Sequence, residues 1–495
     1  MRTVAGIRAF AALSVCFVSI SIGSIAPKPS FSEAERQGVI DFWSSKAQYS
    51  TAPAGSKGAE WCVRLTPSGS KWIREVYRQF QTGKVIPTQD PNGNTPQQRA
   101  WTAWIDRQVE RDWTAAESIA AKLNVDAPQS PETGGHETRS TTLERKTGED
   151  KIGREPEPAP IPQSDPCPAD LVAILGQPPK FAAPVHPMRH EITFPDGTRL
   201  TYVDNVKVRP KYAYYRFADG VNSEGVNIKK LSDSELEGLI KDAGITTSEE
   251  RVMKAVSMLE GGFDSINTYD TGYVSVGFIQ FACLADGKGS LGEMMRHYKS
   301  TNPAGFQADF RNYGIDVDGD SLVAIDLETG AERSGPEAAL QIIHDKRLIA
   351  VFQRAGLKSK AFRVAQLQAA KNQFYPANEK VTVNLGGTDY CVKVCDVCRT
   401  EAGMATLMDR KVNTGKMNGL KEVIERYADQ FGISDPSGLP DIEYLVTRAM
   451  TYRQDYLLMS SLSKPRDNTT QLSRRGTRNS RTNDPASGGG KKKQA

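Results

Sequence analysis

Residues 251–281, RVMKAVSMLEGGFDSINTYDTGYVSVGFIQF, restrict the fold more than any other stretch, because a helix must end there on a carboxylate and a glycine-rich hairpin must follow. Thr246 with Glu249 and Thr247 with Glu250 both have the T-x-x-E spacing of a capping box, which predicts a helix start. Val252, Val256 and Leu259 then recur at steps of four and three and predict an apolar stripe against a core. Glu260 follows, and Gly261-Gly262 stop the helix behind it by supplying backbone conformations closed to other residues. A carboxylate at a buried helix C-terminus meets the negative end of the helix dipole and loses solvent. Both effects disfavour ionisation, so the Glu260 pKa is expected to rise, as a general acid requires.

Beyond Glu260, polar groups come from Asp264, Asn267, Tyr269, Asp270 and Ser275, while Tyr273, Val274, Val276, Phe278, Ile279 and Phe281 favour strands. Gly272 and Gly277 permit a tight turn or a close approach of ligand or backbone. Two carboxylates flanking a groove are the minimal apparatus of glycoside hydrolysis. The competing reading is structural, since a helix ending in Glu-Gly-Gly before a hairpin also occurs in ordinary domains.

The segment EGGFDSINTYDTGYVSVGFIQF resembles the active-site segment of the lysozyme-like superfamily, closest in layout to phage-type lysozymes. The resemblance implies Glu260 as general acid, Asp270 as second carboxylate and Ser275 as the hydroxyl residue, where the phage enzymes carry Thr. The Glu-to-Asp spacing is one residue longer here and the Asp-to-hydroxyl spacing one shorter. Asn267, Tyr269, Tyr273 and Gln280 on the hairpin become candidate substrate contacts. So do Asp409 and Asn413, on a later helix that resembles one lining the groove of these enzymes; capping and solvation are their alternative roles. The expected reaction is cleavage of the β-1,4 bond between aminosugars in peptidoglycan, with no metal or other cofactor. In an inverting arrangement the two carboxyl groups stand roughly 6.5–9.5 Å apart. The segment also resembles the Glu-hairpin unit of lytic transglycosylases and chitosanases, and a domain that binds glycan without cutting it is a further alternative.

The expected fold class is mainly α with small β-hairpins (α+β): a lysozyme-like domain at 167–460, preceded by a small Trp-rich helical module at 31–124 and a disordered linker at 125–166. The chain opens with Arg2, Arg8 and a short apolar run ending in small residues, which predicts a secretory leader over 1–26 and a periplasmic or extracellular protein. All six tryptophans lie between 43 and 113, with Trp101, Ile105, Val109 and Trp113 on one helical face. They suit the core of a small domain better than sugar platforms. Residues 125–166 are rich in Pro, Glu, Thr and Gly and cannot bury a core.

Within the second unit, Asp196-Gly197 predicts a hairpin turn and Ser232 with Glu235 a capping box. Asp318-Gly319 reads as a turn rather than a calcium loop, because Ser321 and Leu327 stand where that loop wants Gly and Glu. A helical tract over 336–374 is expected to break near Gly356, and helices are expected over 402–415, 419–431 and 441–458. Cys62, Cys167, Cys283, Cys391, Cys395 and Cys398 form an even set, which in an exported chain favours disulfides; Cys391, Cys395 and Cys398 as zinc ligands are the weaker alternative.

The formal net charge is +4, yet the final segment from 461 carries nine Lys and Arg against two Asp, so the rest is slightly acidic. That tail is expected to be disordered and to adhere to anionic wall polymers or membranes; nucleic acid is not an expected partner. A monomer is expected.

Overall fold

A computed structural model describes residues 29–54, 61–79, 95–125, 165–204, 217–226 and 228–462. The expected leader and nearly all of the expected linker and of the basic tail lie outside these residues. The chain is mainly helical with small antiparallel sheets, a mixed α+β fold. No helix among the described residues is long and apolar enough to cross a membrane.

The helix Thr247–Ser257 begins where expected, with the Thr246 side chain and Glu249 completing the capping box. Val252 and Val256 are fully buried, but Leu259 is 43% exposed. The reason is local: regular helix stops at Ser257, and the turn at 258–260 rotates Leu259 out of the stripe. The helix Glu401–Thr414 lies beside it, closed by Gly415 in the left-handed conformation. Their N-termini are joined by Glu401, which is fully buried and accepts from Ser248 Oγ and Arg251 Nε, each at 2.9 Å. The two helices therefore run parallel, and their C-terminal ends arrive together.

Between 336 and 374 the chain forms three helices, Pro336–His344, Lys346–Lys358 and Lys360–Phe374. The breaks fall at Asp345 and Ser359, whose side chains cap the next helix, not at Gly356. Gly356 sits inside a helix because a Cβ there would lie 2.2 Å from the Phe263 carbonyl. A tertiary contact, not a helix end, demands that glycine. The Asp196-Gly197 and Asp318-Gly319 turns join antiparallel strands as expected, with Gly197 and Gly319 at positive φ.

The start of the N-terminal region packs with the later chain, and its strands pair with strands beyond residue 180. Phe31, Val39 and Trp43 belong to the main core, where Trp43 packs edge-on against Phe194 and its Nε1 donates to the Tyr313 carbonyl at 3.1 Å. The strand Tyr49–Pro53 pairs with Met188–Thr193, and Cys62–Leu65 pairs with Ala182–Val185, across the expected linker. Trp72, Trp101 and Trp104 form a separate cluster with Ile73, Val76, Ile105 and Val109, completed by Leu171 and Phe181, and Trp61 and Trp113 pack against a further one of Val63, Ala116, Ala120 and Ala182. The strand pairings join residues on either side of 125–166, a long-range property that the composition of that stretch does not report.

All six cysteines named above are free, in contrast to the expected disulfides. Among the described residues, no group of three or more His, Cys, Asp or Glu is placed to hold a metal ion.

Candidate functional site

Glu260 stands on the turn where the helix Thr247–Ser257 gives way to a four-stranded sheet of two-residue strands, Asn222–Ser223, Ile266–Asn267, Ser275–Val276 and Phe281–Ala282. The two glycines after it are required by space. Gly261 has φ +146°, and a Cβ on it would lie 2.5 Å from Ser265 Oγ; a Cβ on Gly262 would lie 1.9 Å from the Val226 carbonyl oxygen. The segment before Val226 thus seats directly on the turn, with Gly262 N–H donating to the Glu224 carbonyl at 2.9 Å.

The Glu260 side chain is only 10% exposed. Its carboxylate accepts from Arg453 Nη2 at 2.5 Å, and the same nitrogen donates to Asp409 Oδ1 at 2.5 Å. Arg453 Nε adds a second bond to Asp409 at 3.1 Å, and Asn413 Nδ2 donates to the Asp409 carboxylate and carbonyl at 3.2 and 2.7 Å. Asp409 is fully buried, whereas Asn413, one helical turn later, is exposed. Tyr456 is fully buried, and burial, then the nearby Asp409 charge, pushes its phenol above the ordinary value.

This group holds two carboxylates and one guanidinium, and Asp409 has the larger share of the cation. Burial is the main reason that the Glu260 carboxyl rises from 4.5 to about 7; Arg453 opposes the rise and Asp409 reinforces it. Near neutral pH, therefore, Glu260 exists in both protonation states and can donate a proton. Arg453 is already in place to hold the carboxylate that remains.

A second group lies on the hairpin. Asp270 Oδ1 accepts from the Gly272 N–H at 2.9 Å and Oδ2 from Asn267 Nδ2 at 2.7 Å. Ser275 is 5% exposed and pairs with Asn267 across the strands. A Cβ on Gly272 would lie 2.4 Å from Ser275 Oγ and 3.1 Å from Asp270 Oδ1, so both oxygens converge on this glycine.

Among the described residues, the non-glycine residues at positive φ are Tyr273, Gln280 and Leu284, at 62°, 54° and 58°. All lie in this hairpin, and such strain concentrates where function fixes a backbone against its preference. It is held from behind by Gln366, fully buried, whose amide donates to the Phe263 carbonyl at 3.0 Å and accepts from the Phe278 N–H at 3.3 Å.

The structure thus brings Glu260, Asp409 and Asn413 together through Arg453, and Asp270, Asn267 and Ser275 together around Gly272. The remaining candidates sit otherwise. Tyr273 packs edge-on against Phe217, and Gln280 Nε2 donates to Ser265 Oγ at 2.6 Å behind the Glu260 turn. The Tyr269 carbonyl accepts from the Phe217 N–H at 2.6 Å. Arg453 and Tyr456 were not legible as site residues. The helix expected over 441–458 ends at Met450, and Arg453 lies on the loop that follows. The available signal was Asp409 itself, a charge among Met404, Leu407 and Met408 that needs a buried cation. No family model, curated protein or solved structure gives a match to this chain.

Proposed function

We propose that this protein is an exported glycoside-cleaving enzyme acting on the β-1,4 bonds of peptidoglycan, on a lysozyme-like arrangement of helices and hairpin. The observation that carries the reading is Glu260, nearly buried, with its carboxyl at about 7, beside a strained hairpin bearing a second carboxylate. Glu260 protonates the glycosidic oxygen as the bond to the anomeric carbon breaks. Arg453 stabilises the carboxylate left behind. Asp270, fixed as an acceptor by Gly272 N–H and Asn267, orients the attacking water and faces the positive charge developing on the sugar; Ser275 helps to hold that water. The substrate class rests on the resemblance of 260–281 to lysozyme-like enzymes.

The test is clearing of purified peptidoglycan by the protein and by Glu260→Gln, with products weighed. Loss of about 10²–10⁴-fold in rate by the variant, with wall binding retained, is the expected result for a missing general acid. Products with a reducing end identify a hydrolase, and anhydro products a transglycosylase. Sedimentation of both proteins with the wall and no product from either would instead identify a glycan-binding domain.

A further inference from the structure

Away from the Glu260 group, a cavity of about 400 Å³ opens between three layers of helix. Asp242 lines it from the helix Asp233–Ala243, Tyr298 and Thr301 from the helix Gly289–Thr301, and Lys360 to Gln368 from the helix Lys360–Phe374; Asn302 lies at the junction. Its chemistry is sorted by position. Lys360 Nζ and Asp242 Oδ2 form an exposed ion pair of 2.6 Å at the mouth. Asn302 commits its side-chain oxygen to the Gly305 N–H at 2.9 Å, and Gln368 Oε1 lies 2.9 Å from His297 Nε2. Their amide nitrogens are left as donors. Ala361, Val364 and Ala365 make an apolar strip along one helix face, and Tyr298, 1% exposed, closes the floor with its hydroxyl tied to Asp309 at 2.8 Å.

We propose that this cavity binds the charged end of a small aliphatic amino acid or dipeptide. A carboxylate meets Lys360 and the amides of Asn302 and Gln368, an ammonium meets Asp242, and a short aliphatic side chain lies on the Ala361–Val364–Ala365 strip. The Lys360–Asp242 pair does not stand in the way. Both members are exposed, and an exposed ion pair is worth little, so a zwitterion replaces each partner with an equivalent charge and adds the amide bonds. The cavity volume suits a molecule of this size. A neutral ligand of the same shape brings no charge to Lys360 or Asp242 and gains only the amide bonds and the apolar strip, so the site discriminates for zwitterions.

The test is calorimetric titration of the protein with L-alanyl-L-alanine, beside the same dipeptide acetylated at its N-terminus and amidated at its C-terminus. Saturable binding of the zwitterion, at least about tenfold tighter than the capped form, is expected. Lys360→Met and Asp242→Asn change exposed side chains and should leave the melting temperature unchanged. Each should weaken dipeptide binding about tenfold, and the ammonium-free N-acetyl form should be insensitive to Asp242→Asn. Ala361→Leu, which fills the strip, should abolish binding. No saturable binding at 10 mM dipeptide (a working ceiling, roughly the weakest affinity such a site would show), equal affinity for the capped form, or an unchanged affinity in Lys360→Met would each overturn the proposal.

Discussion

At the scale of single residues, the Glu260 carboxyl ties folding to pH as well as to chemistry. Its pKa rises from 4.5 in the unfolded chain to about 7 in the folded one, so folding favours the protonated form. The stability this group contributes is present below pH 4.5 and is lost as pH rises to 7, amounting to about 3 kcal/mol across that window. Glu260→Gln removes the titration. Urea unfolding should therefore show wild type losing stability from pH 5 to pH 8 relative to the variant, and parallel behaviour of the two would show that the carboxyl is not raised. Asp409 acts on catalysis through the same carboxyl. Its charge helps to hold the Glu260 pKa up, so Asp409→Asn should move the alkaline limb of the pH–rate profile to lower pH. A pH–rate series on both proteins checks the sign. These pairings were half legible. Glu260, Asp409 and Asn413 can be picked from the sequence, but Arg453 cannot, because which of many arginines reaches a buried aspartate is decided by where a loop lands.

At the scale of elements, the hairpin and the turn before it are held by contacts that tolerate no added atom. A Cβ on Gly277, at φ +84°, would lie 2.1 Å from Gln366 Oε1, and one on Gly262 would lie 1.9 Å from the Val226 oxygen. Gly262→Ala must displace backbone, whereas Gly277→Ala combines strain with loss of the Gln366 bond to Phe278. Gln366→Leu keeps the volume but leaves the Phe263 carbonyl and the Phe278 N–H unpaired in the core. It should cost about 2–4 kcal/mol, one desolvated group after the other, and denaturant midpoints measure it. If Gln366→Leu proves neutral, the glutamine does not brace the hairpin. Local rules recovered these elements where the signal was itself local: the capping boxes at Thr246 and Ser232 and the turn glycines at 197 and 319 all stand as read. They failed at Gly356 and Leu259. There the backbone answers to Phe263 across the core and to a turn that starts two residues before Glu260, neither of which periodicity contains.

At the scale of the whole molecule, Phe31, Val39 and Trp43 share one core with the later chain, while Trp72, Trp101 and Trp104 sit in a cluster of their own. Trp43, 2% exposed, touches Phe42, Phe194 and Tyr313, and the strand that follows it completes a sheet with Met188–Thr193 and Arg199–Val203. Ser30 and Phe31 N–H groups both donate to the Glu332 carboxylate at 2.9 Å, three hundred residues away in sequence. A Trp-rich module tethered by a flexible linker would unfold independently of the rest, and substitutions in it would leave the other transition untouched. The shared core requires the opposite. Trp43→Ala removes a large side chain from a site that cannot collapse around three aromatic rings and should cost about 3–5 kcal/mol. Calorimetry should show that loss in the transition that contains the Glu260 helices, not in a separate, earlier one. Because Cys62, Cys167, Cys283, Cys391, Cys395 and Cys398 are free, a reductant should leave the same transition where it is. A shift with reductant would place a disulfide in the folded protein. A Trp43→Ala effect confined to its own transition would restore the tethered module.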